Sequence, residues 1–303
     1  KVDSLKSVLA KEYDAVFVGT GAPRGSDLDL PGRNEAAANI FVGIDWLSSV
    51  SFEHIDRIGK RVLVLGGGNT AMDCCRTARR LGGEDVKVVV RSEFDKMKAS
   101  PWEKEDAMAE DIPIFNNHVP REFVHRDGRL VGMSFDKVDV VYDDKGRRNL
   151  VPTGEEPVFF EADDVLIAIG QDNAFPWIER DIGIEFGKWD MPVVDAESFQ
   201  STLPKVFFGG DAAFGPKNII TAVAHGHQAA ISIDLFLRGE DVRKRPAPGV
   251  TLVSQKMGVH EWSYDNAIAD DLRYKVPHVA KEIALKDRKV EVELGFDART
   301  GLS

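Results

Sequence analysis

Cysteine is nearly missing from these 303 residues: there are two, Cys74 and Cys75, side by side. Without a CxxC pair, dithiol–disulfide exchange is not the expected chemistry, and without a cysteine cluster neither zinc nor iron–sulfur has ligands here. Neighbours on a helix point about 100° apart, so a bond between these two would be strained. They read as small buried residues of a reducing, cytoplasmic compartment. A surplus of Lys and Arg is equally missing. The net charge is −11, so neither nucleic acid nor an anionic membrane surface is an expected partner, since both attract clustered cations. No apolar stretch approaches the ~20 residues of a membrane span, and no charged-then-apolar leader opens the sequence. What is present is 43% hydrophobic residues, enough at this length to fill one large or two ordinary cores.

The apolar residues fall into a recognisable order. DAVFVGT (14–20) is almost continuously apolar, as a strand buried on both faces should be, and GTGAPRG breaks it. Residues 35–58 carry mixed helical patterning with Trp46 and Leu47 as core candidates. From Arg61 come a strand (61–66), a glycine turn, a helix (69–81), the break LGGED and a strand (86–91), a βαβ unit of about thirty residues. A loop and the helix SPWEKEDAMAED follow, then, between 119 and 162, short strands with turn signals such as HRDGR and DDKGRR that predict an antiparallel meander. DDVLIAIG (163–170) and VFFGGDAA (206–213) are two more buried strands, the second leading into a helix over 218–239. RKRPAPG (243–249) has the composition of a linker.

In GGGNTA the spacing Gly66-x-Gly68-x-x-Ala71 matches the dinucleotide fingerprint. Its first glycine permits a tight turn, its second lets backbone approach a pyrophosphate, and its small third residue lets the helix pack close to the strands. The phosphates would lie over the N-terminus of helix 69–81, with Asn69 placed to cap it. The second strand ends at Arg91, where an NAD site carries an acid for the ribose hydroxyls; an arginine suits a 2′-phosphate, although Glu93 stands two places on. NADP is therefore favoured over NAD.

The strand ends VFVGTG, LIAIG and FFGGD, together with the βαβ unit, resemble the two-dinucleotide-domain flavoproteins. They resemble more closely the small subunit of glutamate synthase and its relatives, which feed NAD(P)H electrons to iron–sulfur partners. The likeness runs from residue 1 to about 240, on YDAVFVGTGA, on GGGNTAMDC with VVVRSEFDKM, and on GGDAAFGPKNIITAVAHGHQAA. It implies an α/β fold of two FAD/NAD(P)-binding Rossmann-like domains, with parallel sheet, helices and a small antiparallel meander, the NAD(P) domain inserted in the FAD domain. The implied segments are 1–55 and 163–240 for FAD, 56–162 for NAD(P), and 241–303 as a tail of unassigned role. It further implies Thr20 and Gly21 near FAD, Gly210 and Asp211 on its ribityl–phosphate chain, and Asn218, Ile219, Thr221 and Ala222 beside the ring. Gly66, Gly67, Gly68, Asn69, Thr70, Arg91 and Ser92 would hold the nicotinamide nucleotide, and Gly170 would lie near the crossing between domains. Asp211 has a physical case of its own: a carboxylate directly after two glycines at a buried strand end has few structural partners, and ribityl hydroxyls would satisfy it.

Three features depart from that family. Residues 1–60 contain no GxGxxG of their own, Ser92 stands where relatives carry a second arginine, and cysteine-rich cluster segments are absent. A chain cut from a longer protein explains the first and third together. The implied chemistry is hydride transfer from NAD(P)H to FAD and onward electron transfer to an iron–sulfur domain or subunit. The cofactors carry that chemistry, so no acid–base residue is assigned. A disulfide reductase of the same fold lacks its CxxC; a nucleotide-binding regulatory or structural subunit is the alternative from another class. His225 and His227 lie two apart on a helix and face different ways, Glu103 reads as a solvated charge, and His54, His118, His125, His260 and His278 form no ligand spacing.

Overall fold

The structure is a computed structural model that describes residues 1–245 and 274–302. Helix α1 (Leu5–Leu9), strand β1 (Val16–Val18) and the two-residue β2 (Arg24–Gly25) come first. They are followed by β3 (Ile40–Val42), α2 (Gly43–Ser51), β4 (Arg61–Leu65), α3 (Asn69–Arg80), β5 (Asp85–Val89), α4 (Pro101–Ala109) and β6 (Ile114–Phe115). The meander is β7 (His118–Arg126), β8 (Arg129–Tyr142), β9 (Arg148–Pro152) and β10 (Val158–Glu161), after which come β11 (Asp164–Ile167) and β12 (Gln171–Asp172). Then β13 (Val206–Phe208), α5 (Asp211–Phe214) and α6 (Ile219–Leu237) form, with α7 (Lys281–Ala284) and α8 (Ala298–Leu302) beyond the undescribed stretch.

These elements divide into two compact units. One holds the described residues of 1–19, 175–278 and 293–303; the other holds 20–174 and 279–292. In sequence, therefore, the second unit is inserted between segments of the first.

The inserted unit is built on a five-stranded parallel sheet in the order β3-β11-β4-β5-β6. Its central strand RVLVL is apolar throughout because both of its faces are covered, as a parallel sheet requires. Alternate residues face opposite ways. Val62 and Val64 join Trp46, Met72, Cys74, Cys75 and Val88 in a core under the helices, whereas Leu63 and Leu65 join Ile167, Phe123, Met133 and Phe135 in a second core under the meander. Both cysteines are free and buried, and burial pushes the Cys75 thiol up to about 12 and that of Cys74 higher still. The long β8 serves three partners: Arg129–Lys137 pairs with β7, Gly132–Phe135 with β10, and Val138–Tyr142 with β9.

In the other unit β1 and β13 pair in parallel over a core that includes Leu5, Val18, Phe175, Ile178, Val206 and Phe208. Leu5 N–H donates to the Trp177 carbonyl at 2.8 Å, which ties the first helix to the segment after residue 175.

Two expectations differ from what forms. Residues 40–42, read within a helical stretch, are strand β3; the run IFV is too short for its β-branched and aromatic character to stand out between helical neighbours. The strand ending in LIAIG, grouped by resemblance with the FAD return segment, pairs with β3 on one side and β4 on the other, so 40–42 and 164–167 share the sheet of the glycine turn. His260 and the second half of the linker stretch 243–249 lie outside the described residues. Residues 279–292, part of the unassigned tail, belong to the inserted unit, where Lys281 pairs with Asp111 at 2.6 Å and Lys289 with Glu53 at 3.0 Å.

Candidate functional site

At the carboxyl end of β4 the chain turns through Gly66, Gly67 and Gly68 into α3. Gly66 has φ +136°, and a Cβ placed there would lie 2.1 Å from the Ala168 carbonyl oxygen of the neighbouring strand end, so only glycine fits. Its N–H donates to Val89 at 3.1 Å, and the Gly67 carbonyl accepts from Ala99 N–H at 2.9 Å, clasping the turn from both sides. Gly68 is different: a Cβ there would meet nothing within 4 Å. It would project into open space over the first turn of α3. No side chain caps that helix, which leaves its first N–H groups and the positive end of its dipole facing the same space. Ala71 is fully buried and lets α3 lie against the sheet. A tight first glycine, an open second one, a buried small third residue and an uncapped helix start together fit a pyrophosphate.

Asn69 does not cap α3. Gly68 takes the cap position, and the Asn69 side chain reaches out of the helix instead, its Oδ1 accepting from Ser100 N–H at 2.9 Å. It pins the loop that precedes α4. Thr70 Oγ1 lies 3.5 Å from Gln171 Nε2, a side chain that sequence patterning did not single out. Gly170, at φ +155°, accepts at its carbonyl from Ser26 N–H at 3.0 Å. It belongs to the unit of the glycine turn, in the short connection between β11, the neighbour of β4, and β12. Thr20 and Gly21 are also in this unit, where Thr20 lines a groove with Ala22, Ile44, Asp45 and Phe52.

Beyond β5 the side chain of Arg91 is exposed to solvent. Ser92 is held by its carbonyl, which accepts from Asn116 Nδ2 at 2.7 Å, and by its hydroxyl, which accepts from Arg148 Nη1 at 2.9 Å. Arg148 comes from β9, far along the chain, and no local sequence signal connects it with residue 92. Lys104 of α4 donates to the Phe94 carbonyl at 3.1 Å and sits over the Phe94 ring, which fixes the turn after Glu93. Glu103 is not a solvated charge: it lies 3.5 Å from Arg76, and burial, reinforced by Asp73, raises its carboxyl above the ordinary range.

The other unit carries FFGGDAA. Gly210 has φ +61°, again a glycine conformation, and Asp211 opens the short α5. The Asp211 carboxylate accepts from Lys217 N–H at 3.0 Å through one oxygen, so it holds the turn between α5 and α6. Asn218 caps α6, accepting from Thr221 N–H at 2.9 Å and Thr221 Oγ1 at 2.8 Å, while Ile219 and Ala222 are exposed beside it. His225, one turn on, accepts the Gly210 N–H at Nδ1 over 3.1 Å and packs against the Phe199 and Phe214 rings; His227 is exposed.

That histidine has a definite pH signature. Burial, then the Lys217 ammonium, hold its pKa below the ordinary value. Only the neutral ring can accept from Gly210. In the unfolded chain His225 gains its proton at about pH 6.5, so its contribution is complete above that pH and is lost as pH falls through it. His225→Asn, whose amide oxygen can accept the same N–H without titrating, is expected to lose less melting temperature than the wild type between neutral pH and pH 5.5. Equal losses would show that His225 does not report on the Gly210 turn.

Comparisons with known proteins place the chain in a family. Residues 2–226 match the family model described as pyridine nucleotide-disulphide oxidoreductase. The chain is 33% identical over 306 residues to the NADP(+)-dependent formate dehydrogenase subunit beta of Moorella thermoacetica, covering 99% of this chain and 42% of that one. It is 36% identical over 240 residues to the glutamate synthase [NADPH] small chain of Halomonas elongata, covering 74% and 50%. The chain thus spans half or less of the length of these relatives. Among solved structures, FprA of Mycobacterium tuberculosis in complex with NADPH superposes with a TM-score of 0.59 at 17% identity, over 78% of this chain and 66% of that one. Thioredoxin reductase of T. acidophilum gives 0.58 at 20% identity, over 74% and 66%. The fold is that of the two-domain Rossmann flavoproteins, and the chain belongs to the pyridine nucleotide-disulphide oxidoreductase family.

Proposed function

We propose that this chain is the NAD(P)H-oxidising flavoprotein part of a multi-component oxidoreductase, with an iron–sulfur domain or subunit as its electron acceptor. The observation that carries the reading is the glycine turn, where Gly66 is forced by the Ala168 carbonyl and Gly68 opens onto an uncapped helix start. The inserted unit would bind the nicotinamide nucleotide through Gly66, Gly67, Gly68, Asn69 and Thr70, with Arg91 and Ser92 at the adenosine end. Residues Gly210, Asp211, Asn218, Ile219, Thr221 and Ala222 of the other unit would serve FAD, and Thr20, Gly21 and Gly170 would border the cofactors. When bound, the flavin accepts hydride from the reduced nicotinamide and releases electrons singly. The protein's share is positioning: backbone N–H groups on the phosphates, Asp211's free carboxylate oxygen toward ribityl hydroxyls, and the dipole of α6 toward negative charge. Relatives named for NADPH or NADP(+) support NADP over NAD. Buried free thiols, with no helix among the described residues long and apolar enough to cross a membrane, suit a cytoplasmic setting.

The visible spectrum of the full-length protein, supplied with FAD, tests this reading. Flavin bands that bleach on anaerobic addition of NADPH are the expected result. A colourless protein that still binds NADPH would replace electron transfer with a regulatory or structural role. Arg91→Ala is expected to weaken NADPH on the order of tenfold while leaving NADH nearly unchanged, because a guanidinium–phosphate contact is charge-assisted. Equal losses by titration calorimetry would remove the 2′-phosphate from that contact.

A further inference from the structure

The β8–β9 hairpin reaches across to the end of β5 and touches three successive residues. Arg148, the first residue of β9, donates from Nη1 to Ser92 Oγ at 2.9 Å and from Nη2 to the Arg91 carbonyl at 3.2 Å. Tyr142, its partner across the strands, brings its hydroxyl to 3.5 Å from Glu93 Oε2. The neighbouring Arg147 is neutralised by Asp143 at 2.7 Å, whereas among the described residues Arg91 and Arg148 form no ion pair. In a chain of net charge −11, two guanidiniums are thus left without a carboxylate beside the glycine turn, since β5 pairs directly with β4. All of these residues lie in one unit.

We propose that Arg148 is a specificity-determining residue that reads a 2′-phosphate on the adenosine ribose, delivered by the hairpin to the strand end where the sequence carries Ser92. The proposal rests on the reading of the inserted unit as the nicotinamide nucleotide site. A ribose phosphomonoester is close to a dianion at neutral pH and has acceptors in several directions, which a pair of guanidiniums satisfies better than one. Arg148 also sets Ser92: because the hydroxyl oxygen accepts from Nη1, its own hydrogen is free to donate to the phosphate. The distal hairpin, not the strand end alone, then decides between the two nucleotides.

Titration calorimetry with 2′,5′-ADP and with 5′-AMP, on the full chain, separates the terms. Arg148→Ala is expected to weaken 2′,5′-ADP on the order of tenfold and 5′-AMP by less than about twofold, with Arg148→Lys between wild type and Ala for 2′,5′-ADP. Arg147→Ala, which removes an equal charge one residue away, should leave both affinities unchanged. Equal losses of the two ligands in Arg148→Ala, or no loss of either, would overturn the proposal. Wild-type protein that binds both ligands equally well overturns it while the nucleotide site stands. Wild-type protein that binds neither sinks that site and this inference together. Thermal melting of each variant shows whether a loss is one of folding, and Arg148→Lys, which keeps charge and bulk, decides the matter if Arg148→Ala does not fold.

Discussion

Gly66→Ala is expected to lower the melting temperature by roughly 10 °C and to abolish nucleotide binding. The new methyl group would lie 2.1 Å from the Ala168 carbonyl oxygen and 2.7 Å from its carbon, both backbone atoms that no rotamer change can move. The φ of +136° adds strain for any residue with a Cβ. Relief requires β4 and β11 to separate at their carboxyl ends, where Ala168 N–H donates to Leu65 at 2.8 Å, or the turn to shift and carry Gly67 and Gly68 with it. Overpacking against fixed backbone together with an unfavourable φ costs about 3–5 kcal/mol, and each kcal/mol is worth roughly 2–4 °C in a chain of this order of size. Gly68→Ala is the control. Nothing lies within 4 Å of its Cβ position, so melting is expected to stay within about 2 °C of wild type. Binding of NADPH should nevertheless fall, because the methyl occupies the space over the first turn of α3. If Gly66→Ala melts like the wild type and binds NADPH, the close approach of the two strand ends does not shape the site.

That contrast between two glycines marks what a sequence can and cannot show. The βαβ unit around GGGNTA is legible because all of its determinants are local: an apolar run long enough to be buried on both faces, three glycines, and a helix pattern after them. The meander is legible through its turn residues. The strand Ile40–Val42 is not, because three residues carry too little periodicity, and its membership of the sheet is settled only by the ladder to Val165–Ile167. Asn69 illustrates a competition that composition cannot decide. A side chain able to cap a helix can equally hold a neighbouring loop, and here the Ser100 backbone wins it. Arg148 is the furthest out of reach: its position beside Ser92 depends on the register of β9 against β8, with Arg148 opposite Tyr142. A shift of one residue would turn it to the opposite face.

Glu110→Ala is expected to destabilise the protein by about 3–5 kcal/mol while leaving the affinity for NADPH close to wild type. Glu110 is only 5% exposed and follows α4; its Oε1 accepts from Arg76 Nε at 2.9 Å and Arg80 Nη2 at 2.7 Å, and its Oε2 accepts from Arg80 Nη1 at 2.7 Å. The two arginines are not equally dependent on it. Arg76 also reaches Asp106 at 3.0 Å, whereas Glu110 is the carboxylate that pairs with Arg80, whose side chain is 7% exposed. Removing Glu110 therefore strands a buried guanidinium, and the desolvation penalty of that charge, not the intrinsic worth of the pair, sets the size of the effect. Replacing both partners by apolar residues, as in Arg80→Met with Glu110→Leu, should recover most of the loss, since neither charge is then left behind. Urea unfolding of Arg80→Met, Glu110→Leu and the double variant closes the cycle. The loop between β5 and α4 has anchors independent of Glu110: Asn69 on Ser100, Asn116 on the Ser92 carbonyl and Lys104 on the Phe94 carbonyl. A Glu110→Ala protein that keeps its stability would mean that Arg80 finds water or another acceptor. One that keeps its stability but loses NADPH would mean that the C-terminal end of α4, and not those three anchors, positions the loop.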